Sequence, residues 1–92
     1  MPVTMTRVLT IVNEKGLHAR ASAKLVELVE GFDADAEVSK DGVSVTGDSI
    51  MGLLMLAASR GTQIEVTTNG IDADALAEAI EALVKDRFGE DE

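Results

Sequence analysis

The sequence has no cysteine, which excludes a disulfide framework and any thiolate metal centre. It has one histidine, His18, too few for a zinc site built on imidazoles, so no metal site is expected. No stretch approaches the roughly 20 apolar residues that cross a bilayer. Positions 1–10 also lack the basic segment and long apolar run of a secretion signal. The expectation is a soluble, cytoplasmic protein. Basic residues are scarce: 8 Lys and Arg stand against 17 Asp and Glu, a formal net charge of −9. Such a field repels nucleic acid and anionic membranes and argues against both as general partners. There is no internal repeat, low-complexity tract or linker. With 92 residues, 46% of them hydrophobic, the chain can build one modest core and reads as a single domain over 1–92.

The hydrophobic pattern predicts seven elements. Residues 7–12 alternate as a strand, with Leu9 and Ile11 on one face and Val8, Thr10 and Val12 on the other. Asn13-Glu14-Lys15-Gly16 is a turn, and from His18 the period becomes helical. Ala21, Leu25, Leu28 and Phe32 recur there at spacings of three and four, flanked by Val29, and Gly31 ends the helix. Strands over 35–40 and 43–47 meet at Asp41-Gly42, a dipeptide suited to the positive φ of a type I′ hairpin. Asp48 and Ser49 can each cap a short apolar helix over 50–58, released at Gly61. A fourth strand over 63–68 directs Ile64 and Val66 one way and is turned by Asn69-Gly70. Asp72 caps the last helix, whose stripe is Leu76, Ala79, Ile80, Leu83 and Val84, with Asp74 near its start and Lys85 and Arg87 near its end. The order β-α-β-β-α-β-α predicts an α+β fold, a two-layer sandwich with helices on the one apolar face of a four-stranded sheet. The hairpin is antiparallel; pattern alone leaves the other pairings open.

A lone histidine is usually a surface or satisfied side chain, but the place of His18 is particular. It falls where strand and turn give way to a helix, so its ring belongs at a helix N-terminus, where unpaired N–H groups favour anions and phosphate above all. The same positive end favours a neutral, nucleophilic ring. Arg20, two residues on, can grip a phosphate bidentately, and Lys15 and Lys24 lie close in sequence. A nucleophile, a dipole and a cation within three residues compose a phosphoryl-transfer site.

Gly16-Leu17-His18-Ala19-Arg20 resembles the active-site motif of HPr, the histidine-containing phosphocarrier family of the phosphoenolpyruvate phosphotransferase system. A second block, Asp48-Ser49-Ile50-Met51-Gly52-Leu53-Leu54-Met55-Leu56, resembles the segment around that family's regulatory serine, and the element order matches its fold. The resemblance therefore covers essentially the whole chain. It implies an antiparallel four-stranded sheet covered by three helices. It further implies that Enzyme I phosphorylates His18 on Nδ1, that Arg20 steadies the phosphoryl group, and that an EIIA-type protein accepts it. No cofactor is implied. An N–P bond has high transfer potential and suits a relay, whereas a phosphoserine ester would hold the group. Ala21 stands where the family commonly has proline. Alanine is a strong helix former that leaves its N–H free, so the helix should survive, and the departure bears on loop stiffness and subfamily. Segments 24–28, 31–34 and 60–66 and the acidic tail look more like a nitrogen-related regulatory branch than a sugar-transport one.

Read alone, Ser49 is a helix N-cap. The resemblance implies in addition a phosphorylation site for an HPr kinase/phosphorylase. Roughly two added negative charges there would hinder Enzyme I. The run from Ile50 to Leu56 has too many apolar residues for one face of a short helix, so Leu53 and Leu56 are assigned to the core. By resemblance, Ile50, Met51 and Leu54 would be exposed beside His18 and would form a docking patch with Ala19, Ala23, Lys24 and Glu27 of the first helix. A carrier that meets successive partners is expected to be a monomer. Two other classes compete: an acyl carrier protein modified on the serine of Asp48-Ser49-Ile50, and a regulatory binding module without chemistry. Acyl carriers are helical bundles, whereas this chain shows strands and an Asp-Gly hairpin.

Overall fold

Alternation in the middle of the sequence builds the sheet. The computed structural model describes residues 3–91, in the order β1 Val3–Thr10, α1 Ala19–Glu30, β2 Asp35–Lys40, β3 Val43–Thr46, α2 Ile50–Met55, β4 Gln63–Gly70 and α3 Ala73–Lys85, then a short turn over Arg87–Gly89. The four strands form one antiparallel sheet in the order β1-β4-β2-β3. In β4, Ile64, Val66 and Thr68 are buried, and in β2, Ala36 and Val38. Register sets Val38 and Arg7 opposite Val66, and Leu9 opposite Ile64. These residues share the face that the helices cover, and the other face, with Thr4, Thr6, Val8, Glu65 and Glu37, is exposed. This is the expected open-faced α+β sandwich, now with every pairing assigned.

On the helices, buried residues fall three and four apart: Ala21, Ser22, Leu25, Val26 and Val29 of α1, and Leu76, Ala77, Ile80 and Val84 of α3. The α1 stripe is rotated from the expected one, since Leu28 and Phe32 only flank the core. Ala79 and Leu83 of α3 are likewise partly covered, and Leu53 and Leu56 are buried as assigned. The hairpin turn has φ of 51° at Asp41 and 83° at Gly42, both positive as a type I′ turn requires.

Several local expectations give way to tertiary contacts. Asn69-Gly70 does not turn the chain. β4 lies between β1 and β2, and pairing of Asn69 with Thr4 and Asp35 and of Gly70 with Val3 overrides the turn preference. Asp72 stands at the N-cap of α3 without capping it; its carboxylate accepts from the Asp33 N–H at 2.9 Å, while its own N–H donates to the Asp33 carbonyl at 3.1 Å. Gly31 ends α1 with φ −82°, not in the left-handed form. Helix α2 stops at Met55 rather than residue 58 because Ala57 turns left-handed, φ 51°. Ser49 caps that helix through its hydroxyl, which accepts from the Gly52 N–H at 3.0 Å, and no described contact gives Asp48 a capping role.

The C-terminal turn completes the core. Arg87 and Phe88 both take positive φ, 57° and 55°, at a cost of about 1–2 kcal/mol per residue. This reversal drives the Phe88 ring into full burial, and the Phe88 carbonyl accepts from Lys24 Nζ of α1 at 2.5 Å. Phe88→Ala is predicted to cost about 3–5 kcal/mol in chemical denaturation. A second polar tie joins sheet to helix: Arg7 on β1 donates to Glu81 of α3 at 2.5 Å, and Lys85 pairs with the same carboxylate at 2.8 Å. The hydrogen bond from Lys85, then that from Arg7, hold the Glu81 carboxyl below its ordinary 4.5. A depressed carboxyl contributes stability above its unfolded pKa and loses it as pH falls through the folded one. Thermal stability should therefore fall on acidification below about 4.5, and Glu81→Gln should flatten that part of the profile while leaving its other transitions in place.

Candidate functional site

The segment that presents His18 is fixed by its backbone. Asn13 brackets the turn, its carbonyl accepting from the Gly16 N–H at 3.2 Å and its side-chain Nδ2 donating to the Gly16 carbonyl at 2.8 Å. Gly16 has φ +66°, and a Cβ there would stand 2.4 Å from the Ala58 carbonyl oxygen, so both conformation and space demand glycine. Leu17 follows, buried, with its N–H donating to that Ala58 oxygen at 2.9 Å and its carbonyl accepting from the buried Ser22 hydroxyl at 3.2 Å. His18 is then the N-cap residue of α1, extended at φ −76° and ψ −178°, and its carbonyl accepts the first helical bond, from Ser22 at 2.8 Å. The His18 side chain does not cap this end, which leaves the N–H groups of the first turn beside the ring.

The His18 side chain is 26% exposed. Its Nε2 lies in hydrogen-bond contact with the Glu90 carboxylate, and among the described residues its Nδ1 makes no hydrogen bond. Glu90 reaches it because the Phe88 turn folds the C-terminus back. The other Glu90 oxygen accepts from Asn13 Nδ2 at 3.0 Å. Burial alone would raise the Glu90 carboxyl, but hydrogen bonds from Asn13 and His18 and the charges of His18 and Lys15 prevail and hold it below 4.5. Asn13 is fully buried, and among the described residues its Oδ1 has no partner. Flipping the amide would aim that oxygen at two other acceptors, so the orientation is fixed by the network.

Two concavities flank the ring. A charged cleft of about 420 Å³ is lined by Glu14, Lys15, Arg20, Lys24, Gly89, Glu90 and Asp91. A shallower one of about 310 Å³ is lined by His18 itself with Lys15, Leu17, Leu54 and residues 57–59. Arg20 is exposed, and among the described residues it forms no ion pair. Ala19 is exposed and Ala23 half-buried, and Lys24 and Glu27 share a shallow hollow with Leu28 and Leu83. Ile50, Met51 and Leu54 are exposed, Met51 by 71%. Ser49 is half-buried at its cap and lines neither concavity beside His18.

Asn13 was expected only as part of its turn, and no site role was expected of Ser22, Met55 or Glu90. Met55, 75% exposed, extends the apolar face. An Asn opening a turn that ends in Gly was a readable signal. Glu90, 72 positions from His18, gave none inside an acidic tail.

The family model described as "PTS HPr component phosphorylation site" matches residues 5–86. This chain belongs to the HPr family. The phosphocarrier protein HPr of Cupriavidus necator is 46% identical over 83 residues, 90% of this chain and 93% of the relative. The phosphocarrier protein NPr of Escherichia coli is 38% identical over 90 residues, 97% of this chain and all of the relative. Among solved structures, HPr of Thermoanaerobacter tengcongensis superposes with a TM-score of 0.91 at 32% identity, covering 96% of this chain and 99% of that one. A sheet of four strands also removes the acyl-carrier reading, which needs a helical bundle. The HPr-family chain is a phosphocarrier of the phosphotransferase system.

The Gly16 contact gives a direct test. Gly16→Ala should cost about 2–4 kcal/mol, from the positive φ and the collision with the Ala58 carbonyl, read as a lowered denaturant midpoint. The NMR shifts of His18 should move with it.

Proposed function

We propose that His18 is the residue that carries the phosphoryl group, accepting it on Nδ1 from Enzyme I and passing it to an EIIA-type protein in the cytoplasm. The observation that carries the reading is an Nδ1 that makes no hydrogen bond among the described residues, on a partly exposed ring at the N-cap of α1, two residues before the exposed Arg20. The lone pair attacks phosphorus, and the bond to the donor breaks with its electrons leaving on the donor. The first-turn N–H groups and the Arg20 guanidinium face the charge on the equatorial oxygens. A site this shallow leaves the rest of the catalytic environment to the partner. The carrier works as a monomer, and the apolar face of Ile50, Met51 and Leu54, with Ala19, Ala23, Lys24 and Glu27 of α1, docks each partner in turn.

Ser49 has a second role in this proposal. Its hydroxyl holds the α2 cap; phosphorylation by an HPr kinase/phosphorylase would spend that oxygen in an ester and bring a dianion to the edge of the docking face. Enzyme I would then be opposed by charge and desolvation.

Incubation with phosphoenolpyruvate and Enzyme I, followed by intact-mass measurement, tests the carrier role. The expected result is one added phosphoryl group, lost in mild acid and absent from His18→Ala. No gain with the Enzyme I of the same organism counts against His18 as the carrier. Met51→Glu should leave stability within about 0.5 kcal/mol and slow transfer about tenfold, as for a charge placed in an apolar docking contact. An unchanged rate removes the patch from docking.

A further inference from the structure

A neutral imidazole carries its hydrogen on one ring nitrogen and its lone pair on the other. Only the nitrogen with the lone pair attacks phosphorus, so whatever accepts a hydrogen bond from one nitrogen selects the other as nucleophile. Here Nε2 meets the Glu90 carboxylate, which when ionised can only accept. Asn13 Nδ2 braces that carboxylate at 3.0 Å and is itself tied to the Gly16 carbonyl at 2.8 Å. The tail is anchored two residues earlier by the buried Phe88 ring and by Lys24 on the Phe88 carbonyl. A nucleophile oriented by a group that is itself oriented by a third is a recurring arrangement in covalent catalysis.

We infer that Glu90 is a positioning residue whose carboxylate, braced by Asn13, holds the His18 ring in the Nε2–H form and leaves the Nδ1 lone pair to make and break the bond to phosphorus. The inference rests on the reading of His18 as phosphoryl acceptor. The electron count closes without proton movement. As the N–P bond forms, the ring takes a positive charge shared with Nε2–H, and the hydrogen stays there, opposite the Glu90 carboxylate. As the N–P bond breaks, its pair returns to Nδ1 and the neutral Nε2–H ring is restored as leaving group. Glu14, Lys15, Arg20, Lys24 and Asp91 face the same cleft as Glu90. Counting Glu90, three cations stand against three carboxylates among the described residues of that cleft, so within that set the Glu90 carboxylate is balanced.

The test compares the full chain with Glu90→Ala and Glu90→Gln. Long-range proton–nitrogen NMR of labelled histidine, at mildly alkaline pH and before phosphorylation, reads the tautomer; rapid-quench transfer from phosphorylated Enzyme I reads the rate. Wild type should show hydrogen on Nε2 alone. Glu90→Ala should show a mixture of tautomers and transfer about tenfold more slowly, the scale of one charge-assisted hydrogen bond. Glu90→Gln keeps an acceptor without charge and should keep the tautomer while recovering part of the rate. A wild-type ring with hydrogen on Nδ1, or a Glu90→Ala protein unchanged in either tautomer or rate, overturns the inference. Absence of His18 phosphorylation in wild type would instead overturn the carrier reading, and the tautomer comparison would still decide the Glu90 contact.

Discussion

The contact between Gly16-Leu17 and the Ala58 carbonyl is the constraint on which the site depends. One oxygen receives the Leu17 N–H at 2.9 Å and bars a side chain at Gly16. It ties the approach to α1 to the exit from α2, elements that are far apart in sequence. It also accounts for the early end of α2: Ala57 turns left-handed, and the next carbonyl is the one that meets Leu17. With the Leu17 carbonyl held by Ser22 and the His18 carbonyl by the first turn of α1, the backbone around the histidine has little freedom left. The ring is placed by main chain, and its chemistry is then set by side chains.

A second anchor arrives from the C-terminus. Two non-glycine residues in the left-handed region are unfavourable by about 1–2 kcal/mol each, and burial of a phenylalanine returns about 1.5–3 kcal/mol. The balance is near even before Lys24 adds its bond to the Phe88 carbonyl. The turn is therefore better understood by what it positions than by what it stabilises. It brings Glu90 onto His18 and Asn13, with the buried Asn13 Oδ1 left unpaired among the described residues. An orphaned buried acceptor costs about 1–3 kcal/mol, and the fold retains it where the same amide fixes both the His18 loop and the tail.

The framework was legible because its signals are local and repeated. The alternation of Ile64 and Val66, the Asp41-Gly42 turn and the stripe of Leu76, Ile80 and Val84 each carry their own evidence. Gly16 to Arg20 was equally readable, since a turn, a nucleophile and a cation follow one another within a few residues. What failed were the dipeptide and capping rules at positions already claimed by tertiary contacts. Asn69-Gly70 had two strand neighbours, Asp72 had Asp33, and Ala57 had the geometry of the site to satisfy. Glu90 was beyond reach for a different reason: its role depends on where Phe88 folds the tail, and a charge in an acidic C-terminus looks the same whether it meets solvent or a histidine.

The site divides into a fixed part and an adaptable part, and the division fits a relay. In the proposed relay, phosphorus meets the same ring nitrogen in two different complexes, which calls for a preorganised ring, helix end and loop. On the same proposal one surface docks two different partners, which calls for a surface around the ring that yields. Met51 and Met55 are unbranched and largely exposed, and they repack against different surfaces at small cost. Arg20 is free of ion pairs among the described residues, and in the proposed relay it is available to follow the phosphoryl group from donor to acceptor. The chain carries nine excess negative charges, while among the described residues the cleft lined by Glu90 holds cations and carboxylates in equal number. Long-range repulsion of phosphate by the protein as a whole is thus relieved locally, without a pocket deep enough to trap the group that has to leave.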